Sequence, residues 1–182
     1  ADELIDRYGG AFDETYRTSA LTLETLRDLE ALDQLSDAQP IVVDLFQDEE
    51  GDRVHLRIYH TQELLLSDVL PILDNFGLII IDQWSHVVQP ADQADRTIDT
   101  FRLQGVWGLD ATDILAREPI LVEGLSAVFG KRVNDDVLNR ILLRANVPWQ
   151  AVDLVRAYIG YAPQLGLRFT LNAIQEILLA QP

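Results

Sequence analysis

The 182-residue sequence contains no cysteine and no methionine, one lysine and three histidines. Without cysteine there is no disulfide, no thiol nucleophile and no thiolate metal site, and three histidines leave little material for an imidazole-based one. A chain that opens on Ala1 and holds no methionine reads as a piece of a longer protein. Because Lys131 is the sole lysine, chemistry that needs a buried lysine, or two, belongs elsewhere. Directly after Gly130 at a helix end, it reads as a solvated partner of the helix dipole. The ten glycines never fall in G-x-G-x-x-G or G-x-x-x-x-G-K-[ST], so neither phosphate-cradling turn is present, and G-x-S-x-G and H-E-x-x-H are missing as well. No apolar run reaches the roughly 18 residues of a membrane span. The opening Ala-Asp-Glu-Leu-Ile-Asp-Arg is too acidic for a signal or transit peptide.

What is present is a composition 48% hydrophobic and 24% charged, that of a globular protein. Thirty acidic residues against fourteen basic ones give a formal charge of -16 and a pI near 4.3. Such an exterior repels phosphate backbones and anionic membrane surfaces, so neither nucleic acid nor membrane is an expected partner. The absence of cysteine fits a cytoplasmic location. Acidity is concentrated in residues 1–52, where fifteen Asp and Glu face three Arg.

Periodicity divides the chain into two kinds of region. Over 22–35, Leu23, Leu26, Leu29 and Leu32 recur at three-residue steps and predict an amphipathic helix. After Pro40, the β-branched stretch 41–46 predicts a strand that ends in the acidic turn Asp48-Glu49-Glu50-Gly51-Asp52. Val54, Leu56 and Ile58 alternate with His55, Arg57 and Tyr59, the pattern of a half-buried antiparallel strand. Ser67 as N-cap, Pro71 in the first turn, an apolar stripe of Val69, Ile72, Leu73 and Phe76, and Gly77 as C-cap predict a second helix. Leu78-Ile79-Ile80-Ile81 predicts a strand covered on both faces at its start, and 97–106 a further one. From Asp110 onward the period is helical: a segment stopped by Gly130 and broken at Pro119, another from Asn134-Asp135-Asp136 to Asn146, a third from Pro148 (as N1) to about 162 with Val152, Val155, Tyr158 and Ile159 inward, and a fourth capped by Thr170. The order α-β-β-α-β-β predicts an α+β fold: a ferredoxin-like antiparallel sheet with helices on one face, whose last strand takes the place of the missing first one, followed by a small all-α helical bundle. The junction is expected near Trp107-Gly108-Leu109, giving a helical lead-in (1–19), an α+β domain (20–108) and a helical domain (109–182).

No catalytic, cofactor-binding or metal-ligating residue can be nominated from this pattern. His55 and His60 have opposite parity on one strand and cannot share a metal; with His86 they read as surface or edge histidines. The 48–52 cluster lacks the spacing of a calcium loop and reads as a solvated hairpin tip. Paired carboxylates are abundant because the chain is acidic and carry no information. Trp84, Trp107 and Trp149 are too scattered to form a base-stacking platform and read as packing residues.

Two long strings resemble a known family. Leu66-Ser67-Asp68-Val69-Leu70-Pro71-Ile72-Leu73-Asp74-Asn75-Phe76-Gly77-Leu78 with Ile81-Asp82, and Asn134-Asp135-Asp136-Val137-Leu138-Asn139-Arg140-Ile141-Leu142-Leu143-Arg144-Ala145, are similar to motifs in the long N-terminal region of the large bacterial NAD-specific glutamate dehydrogenases. Trp149, Arg156-Ala157-Tyr158, Tyr161 and the closing Leu178-Leu179-Ala180-Gln181-Pro182 add to the likeness, as do Tyr16, Leu26 and Glu30 at the front. The resemblance implies an ACT-like regulatory module up to about Trp107 and a helical domain beyond. It also implies a parent enzyme that converts L-glutamate to 2-oxoglutarate and ammonia, with NAD held by a separate domain. This segment would then carry regulation and homo-oligomer assembly, with the catalytic domain and an amino-acid effector as partners and no cofactor of its own. The alternative is a freestanding ACT-like amino-acid-sensing or protein-interaction module.

Overall fold

The computed structural model describes residues 7–19, 22–48, 53–91, 93–104, 109–166 and 171–180. The chain resolves into two compact units, Ala1–Leu64 with Ile80–Leu103, and Leu65–Ile79 with Gln104–Pro182.

The first unit holds helices α1 (Glu14–Ser19) and α2 (Thr22–Gln34) and the strands β1 (Ile41–Gln47), β2 (Val54–His60), β3 (Ile79–Val88) and β4 (Arg96–Gln104). The strands form one sheet in the order β1-β2-β4-β3. β1 and β2 pair antiparallel with Asp44 opposite Arg57, and β2 pairs antiparallel with β4, placing Thr100 opposite Arg57. This is the sheet of a ferredoxin-like fold in which β4, last in sequence, occupies the central position of the absent first strand, as the order of elements predicts. The acidic turn expected between β1 and β2 lies, from Glu49 to Asp52, outside the described residues. So do Val106 at the expected end of β4 and the expected junction at Trp107-Gly108.

Burial corrects three readings. β2 is buried at every position, not on alternate ones. Its apolar parity and that of its neighbours (Val43, Leu45, Leu56, Ile58, Phe101, Leu103) are buried on one face, while the polar parity lies under α1 and α2 on the other. On α2 the buried stripe is Asp28, Ala31, Leu32 and Leu35, the i, i+3, i+4, i+7 spacing of a 3.6-residue period, and Leu26 from the three-step series is exposed. β3 runs on to Val88, and the isoleucines expected to be covered at its start are largely not: Ile79 and Ile81 are about half exposed, 50% and 52%.

In the second unit, α3 (Leu66–Asn75) starts one residue before Ser67, with Leu65 as an N-cap that makes no side-chain bond. Pro71 therefore falls in the second turn, where its missing N–H leaves the Ser67 carbonyl without a helical donor. Gly77, at φ +78, ends α3 in a Schellman turn, with Leu78 N–H on the Leu73 carbonyl (3.0 Å) and Gly77 N–H on that of Asp74 (2.7 Å). α4 (Ala111–Ala116) begins in a reciprocal capping box of Asp110 and Asp113, and Pro119 lies in the first turn of α5 (Glu118–Phe129), so the break falls where proline demands it. The helix expected from Asn134 instead opens as a 3-10 turn (Val137–Asn139) capped by Asp136 and continues as α6 (Arg140–Ala145), closed by Asn146 at φ +52. α7 (Trp149–Tyr161) takes Pro148 as N-cap rather than N1. It buries Val152 and Ile159 and leaves Tyr158 exposed, contrary to expectation. After a 3-10 turn (Ala162–Leu165) comes α8 (Leu171–Ala180), whose expected cap Thr170 lies outside the described residues.

The 134–145 string holds this unit together. Arg156 on α7 grips Asp136 bidentately, Nε to Oδ2 at 2.8 Å and Nη2 to Oδ1 at 3.1 Å, and also donates to Asn139. Arg140 donates to the backbone and carboxylate of Asp74 at the end of α3. Gly124 leaves room for its neighbours, since a Cβ there would stand 2.5 Å from Leu142 Cδ1 and 3.0 Å from Phe76 Cε1.

Candidate functional site

The most chemically loaded region is the polar face of the sheet in the first unit. Strand register stacks its side chains in rows: Phe46, His55 and Arg102; Asp44, Arg57 and Thr100; Val42, Tyr59 and Ile98. The even-numbered residues of β3, among them Trp84, His86 and Val88, continue this face. Tyr16 of α1 and Glu24 and Asp28 of α2 stand over it.

Asp28, fully buried, is the hub. It accepts from Arg57 Nη1 at 2.6 Å, from Tyr59 Oη at 2.6 Å and from Tyr16 Oη. Arg57 also donates from Nη2 to Glu24 Oε2 at 3.1 Å and from Nε to Thr100 Oγ1 at 3.3 Å, and its guanidinium lies 4.4 Å from the centre of the Phe46 ring. Burial alone would favour loss of the Arg57 proton, but Asp28, Tyr59 and Glu24 outweigh it and hold the group charged. Burial and the adjoining Asp28 carboxylate push the Tyr16 and Tyr59 hydroxyls well above the ordinary tyrosine range. A charge this deep is tolerated because every partner is in place.

Beside the hub lies a cavity of about 230 Å³, lined by Tyr16, Glu24, Phe46, His55, Arg57, Trp84, His86, Ile98 and Thr100. The His55 ring stacks on Phe46 (centroids 5.2 Å apart) and meets the Trp84 ring edge-on at 5.6 Å. His86 meets Tyr16 edge-on at 5.3 Å, with Nδ1 3.5 Å from Asp13. His55 Nδ1 is buried and has no hydrogen-bond partner among the described residues, while Nε2 lies 3.9 Å from Asp48. Burial, aided by Arg57 and Arg102 and opposed by Asp48, lowers the His55 pKa, leaving a neutral ring.

The opposite face carries a second polar group. His60 Nε2 lies 2.9 Å from Asp99 Oδ2, and Ser85 and Gln83 donate to the other carboxylate oxygen. The order is Ser-Asp-His, with the acid in the middle, so the Ser85 hydroxyl meets a weakly basic carboxylate rather than the imidazole that would activate it. Burial disfavours the charge on Asp99, but the hydrogen bonds from His60 and Ser85 prevail and lower its pKa. The three histidines are thus buried or half-buried rather than superficial, although His55 and His60 do point to opposite faces as their parity requires. Among the described residues no group of three or more His, Asp and Glu side chains is placed to hold a metal, and no helix is long and apolar enough to cross a membrane.

Sequence reasoning passed over Tyr16, Glu24, Asp28 and Arg57. The available signal was Asp28 itself, an acidic residue in the 28/31/32/35 stripe, which has to be answered by a buried cation. Trp84, read as packing, stands at the cavity and is 38% exposed. Trp149 donates to Glu123 at 3.0 Å, and Trp107 lies outside the described residues.

Comparison with known proteins accounts for both units. Residues 40–114 match the family described as glutamate dehydrogenase, ACT3 domain, and residues 133–182 that described as glutamate dehydrogenase, helical motif 3. The NAD-specific glutamate dehydrogenase of Halomonas elongata is 29% identical over 185 residues, covering 100% of this chain and 11% of that protein. That of Pseudomonas aeruginosa is 35% identical over 156 residues (84% and 10%), and that of Mycobacterium tuberculosis 25% over 179 (96% and 11%). The chain spans about a tenth of the length of these relatives. It therefore belongs to the NAD-specific glutamate dehydrogenase family, of which it presents the ACT3 domain followed by helical motif 3.

Proposed function

We propose that this chain is a noncatalytic assembly and regulatory region of an enzyme that oxidises L-glutamate to 2-oxoglutarate and ammonia with NAD, and that it joins two subunits through its sheet. The observation that carries this reading is the β3 edge. β3 is a terminal strand of ten residues. Ile81 and Val87 are 52% and 48% exposed beside it, and its only acidic or basic charge, Asp82, is already paired with Arg102. Monomers blunt such edges with lysine, proline or bulges, because an unpaired row of N–H and C=O groups templates another strand. β3 has none of the first two along its length. Antiparallel pairing of two β3 strands about a two-fold axis satisfies that row and covers the aliphatic side chains.

Sedimentation equilibrium tests it. The chain is expected to dimerise, and Ile81→Lys with Val87→Lys, which place charge on the edge without touching the interior, to shift it to monomer with an unchanged circular dichroism spectrum. A chain that stays monomeric at high concentration, or a lysine variant that dimerises as before, refutes edge pairing. Incubated with NAD and glutamate, the chain is expected to form no NADH, and turnover would refute the noncatalytic assignment.

A further inference from the structure

We propose that the cavity under α1 and α2 is a binding site for a small organic cation that carries N–H donors, of the alkylammonium or alkylguanidinium class. The argument starts from what the walls leave unsatisfied. Every hydrogen-bonding nitrogen of Arg57 already has an acceptor: Thr100, Asp28 and Glu24. The hydroxyl of Tyr16 is committed to Asp28. What remains open on the lining residues is accepting capacity. Glu24 uses Oε2 on Arg57 and keeps its second oxygen, on a side chain 22% exposed. His55 is 93% buried by area, being 7% exposed, with Nδ1 unpartnered. With Nε2 turned toward Asp48, the neutral ring carries its proton on that side and offers Nδ1 as a lone pair.

The electrostatic balance has the same sign. The charged groups facing the cavity are Glu24 and Arg57, and behind Arg57 stands Asp28, so the trio carries one net negative charge. The acids nearest the two histidines, Asp48 and Asp13, add to it. Arg102, the cross-strand neighbour of His55, is paired through Nη2 with Asp82 and has a buried Nε without a partner among the described residues, but it does not line the cavity. A carboxylate or phosphate would find no uncommitted cation on these walls and would face Glu24. A cation finds a carboxylate oxygen, an imidazole lone pair and the ring of Trp84, the aromatic side chain with the strongest cation–π attraction, whereas Phe46 is already covered by Arg57 and His55 and Tyr16 by Phe12. Trp84, on the lining, is itself partly exposed.

This site stands apart from the assembly reading, since a chain that fails to dimerise can still bind the cation. Isothermal titration of the 182-residue chain with n-butylammonium and n-butylguanidinium is expected to give saturable binding, and n-butyrate and tetramethylammonium, which lack the charge or the N–H, are expected to give none. Glu24→Gln weakens binding about tenfold, the worth of one charge-assisted hydrogen bond. Trp84→Ala, at a position exposed enough to leave folding intact, weakens it several-fold. Glu30→Gln removes the same charge from the outer side of α2 and leaves binding unchanged. In nitrogen NMR of the labelled histidines, the His55 Nδ1 resonance shifts on saturation as the lone pair accepts a hydrogen bond. Absence of saturable binding, equal binding of butyrate or tetramethylammonium, or equal effects of Glu24→Gln and Glu30→Gln would each overturn the proposal.

Discussion

Asp28 shows what one residue can decide. Its carboxylate, without contact with water, collects three donors from α1 and β2, and the sheet's polar parity can be buried only because this acid neutralises Arg57. Removing it leaves the guanidinium with Glu24 and the Thr100 hydroxyl and strands two buried phenols, so Asp28→Ala is expected to cost about 3–5 kcal/mol, the range for breaking one side of a buried pair. Urea unfolding measures it. A loss below about 1 kcal/mol would mean that water reaches the hub and takes over its hydrogen bonds.

Helix ends give the clearest test at the level of the element. α5 closes in a Schellman turn, with Arg132 N–H on the Ala127 carbonyl (2.8 Å) and Lys131 N–H on that of Val128 (2.9 Å). The left-handed position belongs to Lys131, at φ +54, whereas Gly130, one residue earlier, has the ordinary φ of -75. The glycine that reads as the stop is not the residue that needs to be one. Lys131→Gly is therefore expected to stabilise the chain by about 0.5–1 kcal/mol, in urea or by thermal midpoint, because it removes a side chain from a conformation that only glycine adopts without strain. The same comparison shows how far element-level reasoning reaches. Strand positions, the break at Pro119, and the stops at Gly77 and Asn146 were legible because proline, positive φ and period-two alternation are local properties. The solvated face of β2 was misread, since alternation of polar and apolar residues reveals parity but not what covers it. The drift on α2 had a similar origin: leucines at three-residue steps draw the eye from the 3.6-residue stripe that contains Asp28. The cavity was invisible, because Tyr16, Glu24, His55 and Trp84 meet only through tertiary packing.

For the molecule as a whole, the buried groups define a pH range of greatest stability. Tyr8, Tyr16 and Tyr59 all have pKa values raised by burial above the ordinary 10.0, so the folded chain holds protons that the unfolded chain gives up. Stability contributed this way is complete below pH 10 and falls as pH rises past it. His55, lowered from 6.5, acts at the other end: the unfolded chain binds the proton first, so its contribution is complete above 6.5 and is lost as pH falls toward the folded value. Urea midpoints measured across pH are expected to form a plateau between these limits, with tyrosine ionisation and unfolding coinciding on the alkaline side. Tyrosines that all titrate near pH 10 with the fold intact would contradict the burial of the hub.

The placement of β4 between β2 and β3 also bears on how the chain reaches its fold during synthesis. When the ribosome has released β1, β2 and β3, a slot remains in the middle of the sheet that none of these three strands fills. Two strand edges stay open until residue 104 has emerged, so nucleation of this half is governed by the arrival of its final strand, and the nascent chain is most vulnerable to mispairing with a neighbour on the same polysome just before that moment.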